Sequence, residues 1–344
     1  MKKAAILATV ILATAFLAAC RIDTSDGGQT GGNAPEPSAV VSEDTKNDLT
    51  DSASLPEDTK EAEPMVITKA IKFNKETVKN SVQGMSVWQG KLFQLYHTGD
   101  CNVFDLDSGS PDPIATFRLG SASDGNHANN CNFSTVHYNG NPLPLLYVVD
   151  GNSGDVMKCS VENIVEKDGK YTSERIQTLH LDQSGFAAAG YMPYWGWPSW
   201  IVGTDGEYIW LHGARYRTNR SMDAYYDENR YIITKFRLPS PDKKLVVLTV
   251  ADVVEQFTTE YDVNFTQGGT VYGKYLFYTF GTGKTDNPSA IRAWDLEAKK
   301  LLPPIDVSEV TEELEDCTVI GDRLYFITQK SNLYYIPLSS AVGK

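Results

Sequence analysis

Gly273-Lys274-Tyr275-Leu276-Phe277-Tyr278 joins a glycine turn to a short aromatic strand, and the recurrence of this stretch decides the fold. A glycine turn followed by alternating aromatic and aliphatic residues is typical of a strand in a β-hairpin. The other copies are Gly90-Lys91-Leu92-Phe93, Gly206-Glu207-Tyr208-Ile209-Trp210, Gly321-Asp322-Arg323-Leu324-Tyr325 and a looser copy at Gly140 with Leu146-Tyr147.

A second strand pattern follows each copy and consists of an apolar residue, a spacer and an aliphatic residue. The first positions of these patterns lie 55, 77, 58 and 42 residues apart. This spacing is close to one repeat per blade of a β-propeller with loops of uneven length. The sequence therefore predicts an all-β propeller, with second patterns at Phe104/Leu106, Cys159/Val161, Phe236/Leu238, Trp294/Leu296 and Ile336/Leu338.

The number of copies predicts five blades. A lone strand pattern at 65–73 precedes the first copy, and the last copy carries only three strand patterns. We expect the N-terminal strand to become the outer strand of the last blade, which would close the ring and remove an exposed edge. Six blades are the alternative, with the extra strands in 182–196 or 212–229. The five copies span 82–119, 128–181, 197–254, 266–308 and 314–338.

Two of the blade endings carry a further resemblance. Trp294-Asp295-Leu296 and Phe104-Asp105-Leu106 resemble the blade ending of WD-repeat proteins. The Gly-His element and the even spacing of those repeats do not occur in this sequence. The resemblance therefore implies the broad superfamily of WD-repeat and quinoprotein-dehydrogenase-like propellers, and no specific family within it.

The N-terminus has the parts of a secretory signal peptide. Two lysines precede the apolar run Ala4–Ala19, and small residues stand before Cys20. Leu17-Ala18-Ala19-Cys20 resembles the bacterial lipobox. The resemblance implies that a signal peptide, 1–19, is removed and that Cys20 receives diacylglycerol and a further acyl chain such as palmitate. Such a lipoprotein is exported and held at the bacterial cell membrane or outer surface; ordinary secretion with an incidental cysteine is the alternative.

Residues 20–64 differ in composition from the rest of the chain. They contain no aromatic residue, and eleven acidic against three basic residues give them a net charge of −8. A segment so poor in apolar surface cannot offset its ordering entropy, so we expect a disordered acidic linker after the lipidated cysteine.

Residues 65–344 form the predicted propeller domain. The whole chain has a net charge of −13, and the signal segment contributes +2, so this domain carries −7. An acidic domain argues against nucleic acid as a partner. We expect a monomer that meets the membrane through the lipid anchor alone.

Two insertions concentrate aromatic and cationic residues on one predicted face. The first lies at 190–200 and the second at 212–230. Aromatic rings stack on sugar faces, and arginine binds acidic groups bidentately, so this face suits a glycan. The alternative is that the two loops pack on each other as a satellite core. The predicted ligand-binding residues of this face are Tyr194, Trp195, Trp197, His212, Arg215 and Tyr216.

The starts of the inner strands supply polar residues near the central channel. We predict that His127, Asn130 and Gln267 face a ligand or ordered water there, unless such groups satisfy one another across the channel. Glu315 and Asp316 are carboxyl groups that a glycoside hydrolase would need in pairs.

The sequence contains no metal-ligand spacing, cofactor motif or nucleophile elbow, so we predict no metal, no cofactor and no catalytic residue. Four cysteines remain after Cys20, and an exported protein reaches a compartment in which disulfides can form. Cys159 and Cys317 lie at predicted core positions, and Cys101 with Cys131 is the candidate disulfide, although connectivity does not follow from sequence.

Three functional classes follow from these patterns. The first is a cell-surface, lipid-anchored protein that binds a glycan or polysaccharide at the aromatic and arginine-rich face. The second is a protein-interaction scaffold with a surface protein as its ligand, since a fold does not imply a chemistry. The third is a polysaccharide lyase using His212, Arg215 and Tyr216, or a glycoside hydrolase. We expect a binding protein rather than an enzyme.

Overall fold

The computed structural model describes residues 65–74, 81–124, 127–151, 157–215, 230–260 and 266–342, without the side chains of residues 123, 124, 195, 197 and 215. The strands of these residues form five sheets that follow one another along the chain as a five-bladed β-propeller. The all-β fold and the number of blades predicted from the repeat are confirmed.

The first strand along the chain is β1 (Thr68–Lys72), which belongs to the last blade. Blade one consists of β2 (Val82–Trp88), β3 (Lys91–Tyr96), β4 (Asp100–Asp105) and β5 (Ala115–Arg118). Blade two begins with β6 (Ala128–His137), β7 (Pro144–Asp150), β8 (Lys158–Lys167) and β9 (Lys170–Leu181).

The chain of the third blade also supplies one strand to the neighbouring second blade. Its own strands are β10 (Trp195–Val202), β11 (Tyr208–Arg215), β12 (Arg230–Arg237) and β14 (Val253–Glu260), and β13 (Leu245–Leu248) lies between the last two in sequence. Blade four consists of β15 (Thr266–Tyr272), β16 (Tyr275–Phe280), β17 (Ala290–Asp295) and the short β18 (Lys300–Leu301) and β19 (Ile305–Asp306).

Blade five contains β20 (Leu314–Ile320), β21 (Arg323–Thr328) and β22 (Asn332–Pro337), followed by the one-turn helix α1 (Leu338–Ala341). Short 3₁₀ helices occur in the connections at Gly120–Asp124, Ala187–Ala189 and Val250–Asp252.

The N-terminal strand closes the ring, as predicted. β1 pairs antiparallel with β22, and Thr68 lies opposite Tyr335. Beyond the strand, the backbone N–H of Phe73 donates to the carbonyl of Ser331 at 2.9 Å. The buried ring of Phe73 then packs on Phe104 of blade one, with 4.1 Å between ring centroids. The first described residues therefore join the last blade to the first.

The predicted extent of blade three is wrong at its outer edge. Residues 245–248 do not complete that blade, because β13 pairs in parallel with β9 and becomes the fifth strand of blade two. The outer strand of blade three is instead β14, which pairs antiparallel with β12. The chain therefore leaves blade three, covers the edge of blade two and returns.

Five apolar clusters fill the five contacts between neighbouring blades. The one between blades one and two contains Phe93 and Val148, and the one between blades three and four contains Tyr231 and Trp294. The remaining clusters join blades two and three, four and five, and five and one. Burial of this apolar surface on both faces of every blade drives the ring together.

The innermost strand of each blade lines the central channel. These strands, β2, β6, β10, β15 and β20, contact one another around the axis. Each begins at one end of the channel, here called the top mouth, and finishes at the other end, the bottom mouth. A tight turn follows at the bottom, as at Gln89 and Gly90, whose φ angles of 48° and 73° suit a two-residue hairpin.

Candidate functional site at the top mouth

All five inner strands carry an irregularity of register close to their starts. A β-bulge inserts an extra residue, turns a side chain out of the regular alternation and is over-represented beside active sites. Five bulges at one level therefore mark the top mouth as the candidate site. The register shifts lie between Val82 and Gly84, Ala128 and Cys131, Trp195 and Ser199, Thr266 and Gly269, and Leu314 and Asp316.

His127 and Gln83 meet at this mouth between blades one and two. The Nε2 atom of His127 lies 3.1 Å from Oε1 of Gln83, and its ring centroid lies 5.7 Å from that of His97. Partial burial and the neighbouring His97 lower the pKa of His127, so the ring is neutral at physiological pH. The sequence analysis singled out His127 but did not find its neighbour His97.

Gln267 occupies the mouth between blades three and five. Its Nε2 donates to Oε1 of Glu313 at 3.1 Å, and its carbonyl accepts from the Ser199 hydroxyl at 2.9 Å. Gln267 is half-buried. The sequence analysis did not single out Glu313. Its position one residue before the inner strand β20 is the feature of the sequence that could have indicated it.

Asp316 binds three blades together beneath the mouth. Its carboxyl oxygens accept from the backbone N–H groups of Met85 at 2.9 Å, Cys131 at 3.4 Å and Cys317 at 2.9 Å. Burial raises the pKa of Asp316 well above its usual range, although the three N–H donors act in the opposite direction. Since these donors occupy it, Asp316 is a structural group rather than a free acid.

Glu315 and Asn130 contribute buried polar atoms with no partner among the described residues. Glu315 is 2% exposed, its Oε2 accepts no hydrogen bond there, and burial raises its pKa well above the usual range, assisted by Glu313 and Asp316. Asn130 is 1% exposed, and neither Nδ2 nor Oδ1 of its amide is paired. An unsatisfied buried polar group costs about 1–3 kcal/mol, so such atoms at a channel mouth suggest a site kept for a ligand or water.

Tyr194 is not a surface residue. It is 4% exposed, and its hydroxyl donates to the Leu211 carbonyl at 2.8 Å and accepts from the Thr234 hydroxyl at 2.7 Å. Burial raises the pKa of the Tyr194 phenol far above its usual value. Tyr194 therefore lies in the core, as in the alternative of a satellite core, and its contact with a ligand stays a prediction.

His212 is also a core residue. It is fully buried on β11, where its ring lies 4.2 Å from that of Tyr278 and 5.9 Å from that of Tyr231. Neither ring nitrogen has a hydrogen-bond partner among the described residues, and burial lowers the pKa of His212 to about 3. The strand alternation turns His212 between blades three and four, and its role in ligand binding stays a prediction.

The remaining residues of the predicted aromatic face lie outside what the structure describes. These are the side chains of Trp195, Trp197 and Arg215, and the whole of Tyr216. Their backbone positions, where described, belong to β10 and β11, and Trp195 lies opposite Ala214. The glycan-binding role of these four residues stays a prediction. The signal peptide, Cys20 and the acidic linker, 1–64, are likewise outside the described part of the chain.

The four cysteines after Cys20 are buried free thiols in the structure. Cys159 and Cys317 lie in the core, as expected from their repeat positions. Cys101 and Cys131 lie in the same cluster between blades one and two, without a bond between their sulfurs. Burial raises the pKa of both thiols, which makes them unreactive as nucleophiles. The disulfide between them stays a prediction, which the mass of the unreduced protein would test.

The described residues contain no group of three or more His, Cys, Asp or Glu side chains placed to hold a metal ion. No helix within the same residues is both long and apolar enough to cross a membrane.

Comparisons with known proteins add little to this description. No protein-family model matches the sequence, and no curated protein matches it. Among solved structures, the β-propeller domain of Cps50 (Swd1) from Myceliophteria thermophila is similar at a TM-score of 0.39 and 9% identity, over 74% of this chain and 82% of that chain. A similarity this distant says nothing about what the chain binds, and the assignment of the chain to the β-propellers follows from its five sheets.

Proposed function

We propose that the protein is an exported, lipid-anchored binding protein that takes a polyhydroxylated, glycan-class ligand at its top mouth. The observation that carries the proposal is Asn130, whose buried amide has neither its donor nor its acceptor satisfied among the described residues. A carboxamide both donates and accepts hydrogen bonds, as the neighbouring hydroxyls of a sugar do. Because this amide is 1% exposed, a sugar would supply the missing partners by displacing the residues that cover it.

The charges at the mouth narrow the ligand class. Glu313 contributes a half-buried carboxyl group, whereas burial disfavours the charged forms of Glu315 and Asp316, and Lys330 lies near Glu312 rather than these residues. Carboxylates accept hydrogen bonds from hydroxyl groups and repel other anions. The described residues therefore favour a neutral or cationic sugar here, whereas the arginines predicted to bind an acidic one lie at 215–230.

The test is a glycan array with the purified protein, followed by calorimetry on each hit. Asn130→Ala should weaken binding tenfold or more, since it removes a buried, ligand-satisfied amide. Asn163→Ala is the matched control, because that amide accepts from Asn141 on the outer part of blade two. If no glycan binds, or if Asn130→Ala and Asn163→Ala have equal effects, the proposal fails.

The enzymatic alternatives receive no support from the described residues. A lyase using His212 would need that ring to reach substrate, yet it is fully buried. A hydrolase using Asp316 would need a free carboxyl group, yet three backbone N–H groups occupy it.

The scaffold alternative has one observation in its favour. Leu245 and Val247 of β13 are 60% and 43% exposed on the outer edge of blade two. An exposed edge strand with apolar side chains is a surface on which another chain can pair. Leu245→Lys would abolish such binding without affecting a glycan at the top mouth.

A further inference from the structure

The opposite end of the channel contains a separate cavity. It has a volume of about 200 Å³ and lies where the five inner strands finish. All five blades contribute to its lining, through Ser86 and Trp88, Asn132 to Thr135, Val202 to Thr204, Thr270 to Tyr272, and Thr318 with Val319. Since the top mouth lies at the other end of these strands, this cavity is independent of the site described above.

Hydroxyl groups dominate the polar part of this lining, and none of its described side chains is charged. Thr135, Thr204, Thr270 and Thr318 supply hydroxyl groups from four blades. The hydroxyl of Ser86 accepts from the Phe133 N–H, and that of Ser134 donates to the Leu145 carbonyl. Hydroxyl groups donate and accept in turn, so the lining can match a neutral ligand that is rich in hydroxyl groups. It offers no charge to attract an ion.

Two buried atoms of the lining residues lack partners within the described part of the chain. Asn132 is 6% exposed, and although its Nδ2 donates to the Gly269 carbonyl at 3.0 Å, its Oδ1 accepts nothing. The indole Nε1 of Trp88 donates to nothing. Both atoms are shielded from the cavity, so the exposed hydroxyl groups of the lining rather than these two atoms would hold a ligand there.

The size and the apolar part of the cavity narrow the ligand further. Trp88, Phe133 and Tyr272 are half-buried in the lining and provide aromatic surface beside the hydroxyl groups. A volume of about 200 Å³ is smaller than the roughly 300–1,000 Å³ of pockets for drug-sized ligands. A single sugar ring, with one apolar face and a rim of hydroxyls, suits this combination.

We propose that the bottom mouth is a binding site for one neutral sugar residue, either a free monosaccharide or the uncharged end of a glycan. This site goes beyond the function proposed for the top mouth and does not depend on it.

The experiment is a titration of the purified full-length protein with D-glucose, D-galactose and N-acetyl-D-glucosamine, followed by saturation-transfer NMR. Thr204 lies in an exposed turn at the rim, so Thr204→Trp should block the cavity without disturbing the core. We expect Thr204→Trp to weaken binding at least tenfold and Thr204→Ser to leave it unchanged.

Three results would overturn the proposal: no binding by any of the sugars, undiminished binding by Thr204→Trp, or an equal signal from glycerol at the same concentration. Asn130→Ala separates the two sites, because it alters the top mouth alone. The bottom site is supported if a monosaccharide binds the wild type and Asn130→Ala equally well but does not bind Thr204→Trp. This outcome does not depend on whether the top mouth binds a glycan.

Discussion

Individual buried residues give this propeller two opposite responses to pH. His212 is an imidazole whose pKa burial lowers to about 3, while Glu315 is a carboxyl group whose pKa burial raises. In both cases the folded protein disfavours the charged form, because the ring and the carboxyl group are shielded from water. The burial of His212 therefore lowers the stability of the folded protein in acid, and the burial of Glu315 lowers it at neutral pH.

Replacing His212 by phenylalanine should remove part of the acid sensitivity. The unfolded chain binds a proton near pH 6.5 and the folded chain only near pH 3, so stability falls as pH drops through this range. Between pH 7.5 and pH 5 this linkage amounts to about 2 kcal/mol. Urea unfolding at both pH values would measure it, with His137→Phe as the exposed control. An unchanged pH slope in His212→Phe would contradict the burial of this ring.

Replacing Glu315 by glutamine should stabilise the protein at pH 7 and have little effect at pH 4. The folded-state pKa lies above the unfolded value, so the contribution of Glu315 to stability is present in acid and is lost as pH rises. We expect the melting temperature at pH 7 to rise by a few degrees, since about 1 kcal/mol shifts a large domain by roughly 2–4 °C. Glu309→Gln, at an exposed position, is the control. A lower melting temperature at pH 7 would mean that the carboxylate is satisfied in solution.

Among the described elements, β1 and β13 are the two that pair with a blade other than the one beside them in sequence. β1 supplies the outer strand of blade five from the N-terminal end, and β13 supplies a fifth strand to blade two from within blade three. Each covers a sheet edge that would otherwise offer unpaired backbone groups to another chain. Closure of the ring depends on side-chain packing as well as on the backbone hydrogen bonds between β1 and β22, since Phe73 follows β1 and packs on blade one.

Phe73→Ala tests the closure of the ring. The side chain is 2% exposed and belongs to the cluster between blades five and one, so its loss leaves a cavity at the closing contact. Truncation of a buried phenylalanine costs about 3–5 kcal/mol. Chemical denaturation would measure the loss, and Lys72→Ala, at an exposed strand position, should cost almost nothing. Equal stabilities of the two variants would show that β1 does not close the ring.

At the scale of the whole molecule, the five inter-blade clusters form a rigid ring with two different mouths. The top mouth carries carboxyl and amide groups on bulged strands, whereas the bottom mouth carries hydroxyl groups and aromatic surface without charge.

The anchor itself is a prediction of the lipobox resemblance. In cells, Cys20→Ser should release the protein from the membrane fraction or leave its precursor uncleaved, because the thiol that would receive the lipid is gone. Fractionation and immunoblotting measure this outcome, with Cys159→Ser as a control that leaves the N-terminus intact. A processed Cys20→Ser protein that stays in the membrane fraction would refute lipidation at this residue.

Local patterns account for much of the fold. Each blade repeats a glycine turn, such as the one at Gly273, followed by an alternation of buried residues. These features can be predicted from the sequence because they depend on no long-range contact. The repeat positions Phe104, Cys159, Phe236, Trp294 and Ile336 are all fully buried, as predicted. The lone strand pattern at 65–73 can be assigned to the last blade because that blade has only three strand patterns of its own and needs a fourth.

The five blades, their closure by β1 and the polar starts of the inner strands could be predicted from the sequence, because turns and strand alternation are properties of neighbouring residues. The tertiary structure alone decided that Tyr194 and His212 are core residues, that β13 joins blade two, and that Glu315 and Asn130 are buried beside Asp316. A loop rich in aromatic residues looks the same in sequence whether it faces water or a neighbouring blade. Only the packing of the next blade against it settles which side chains a ligand can reach.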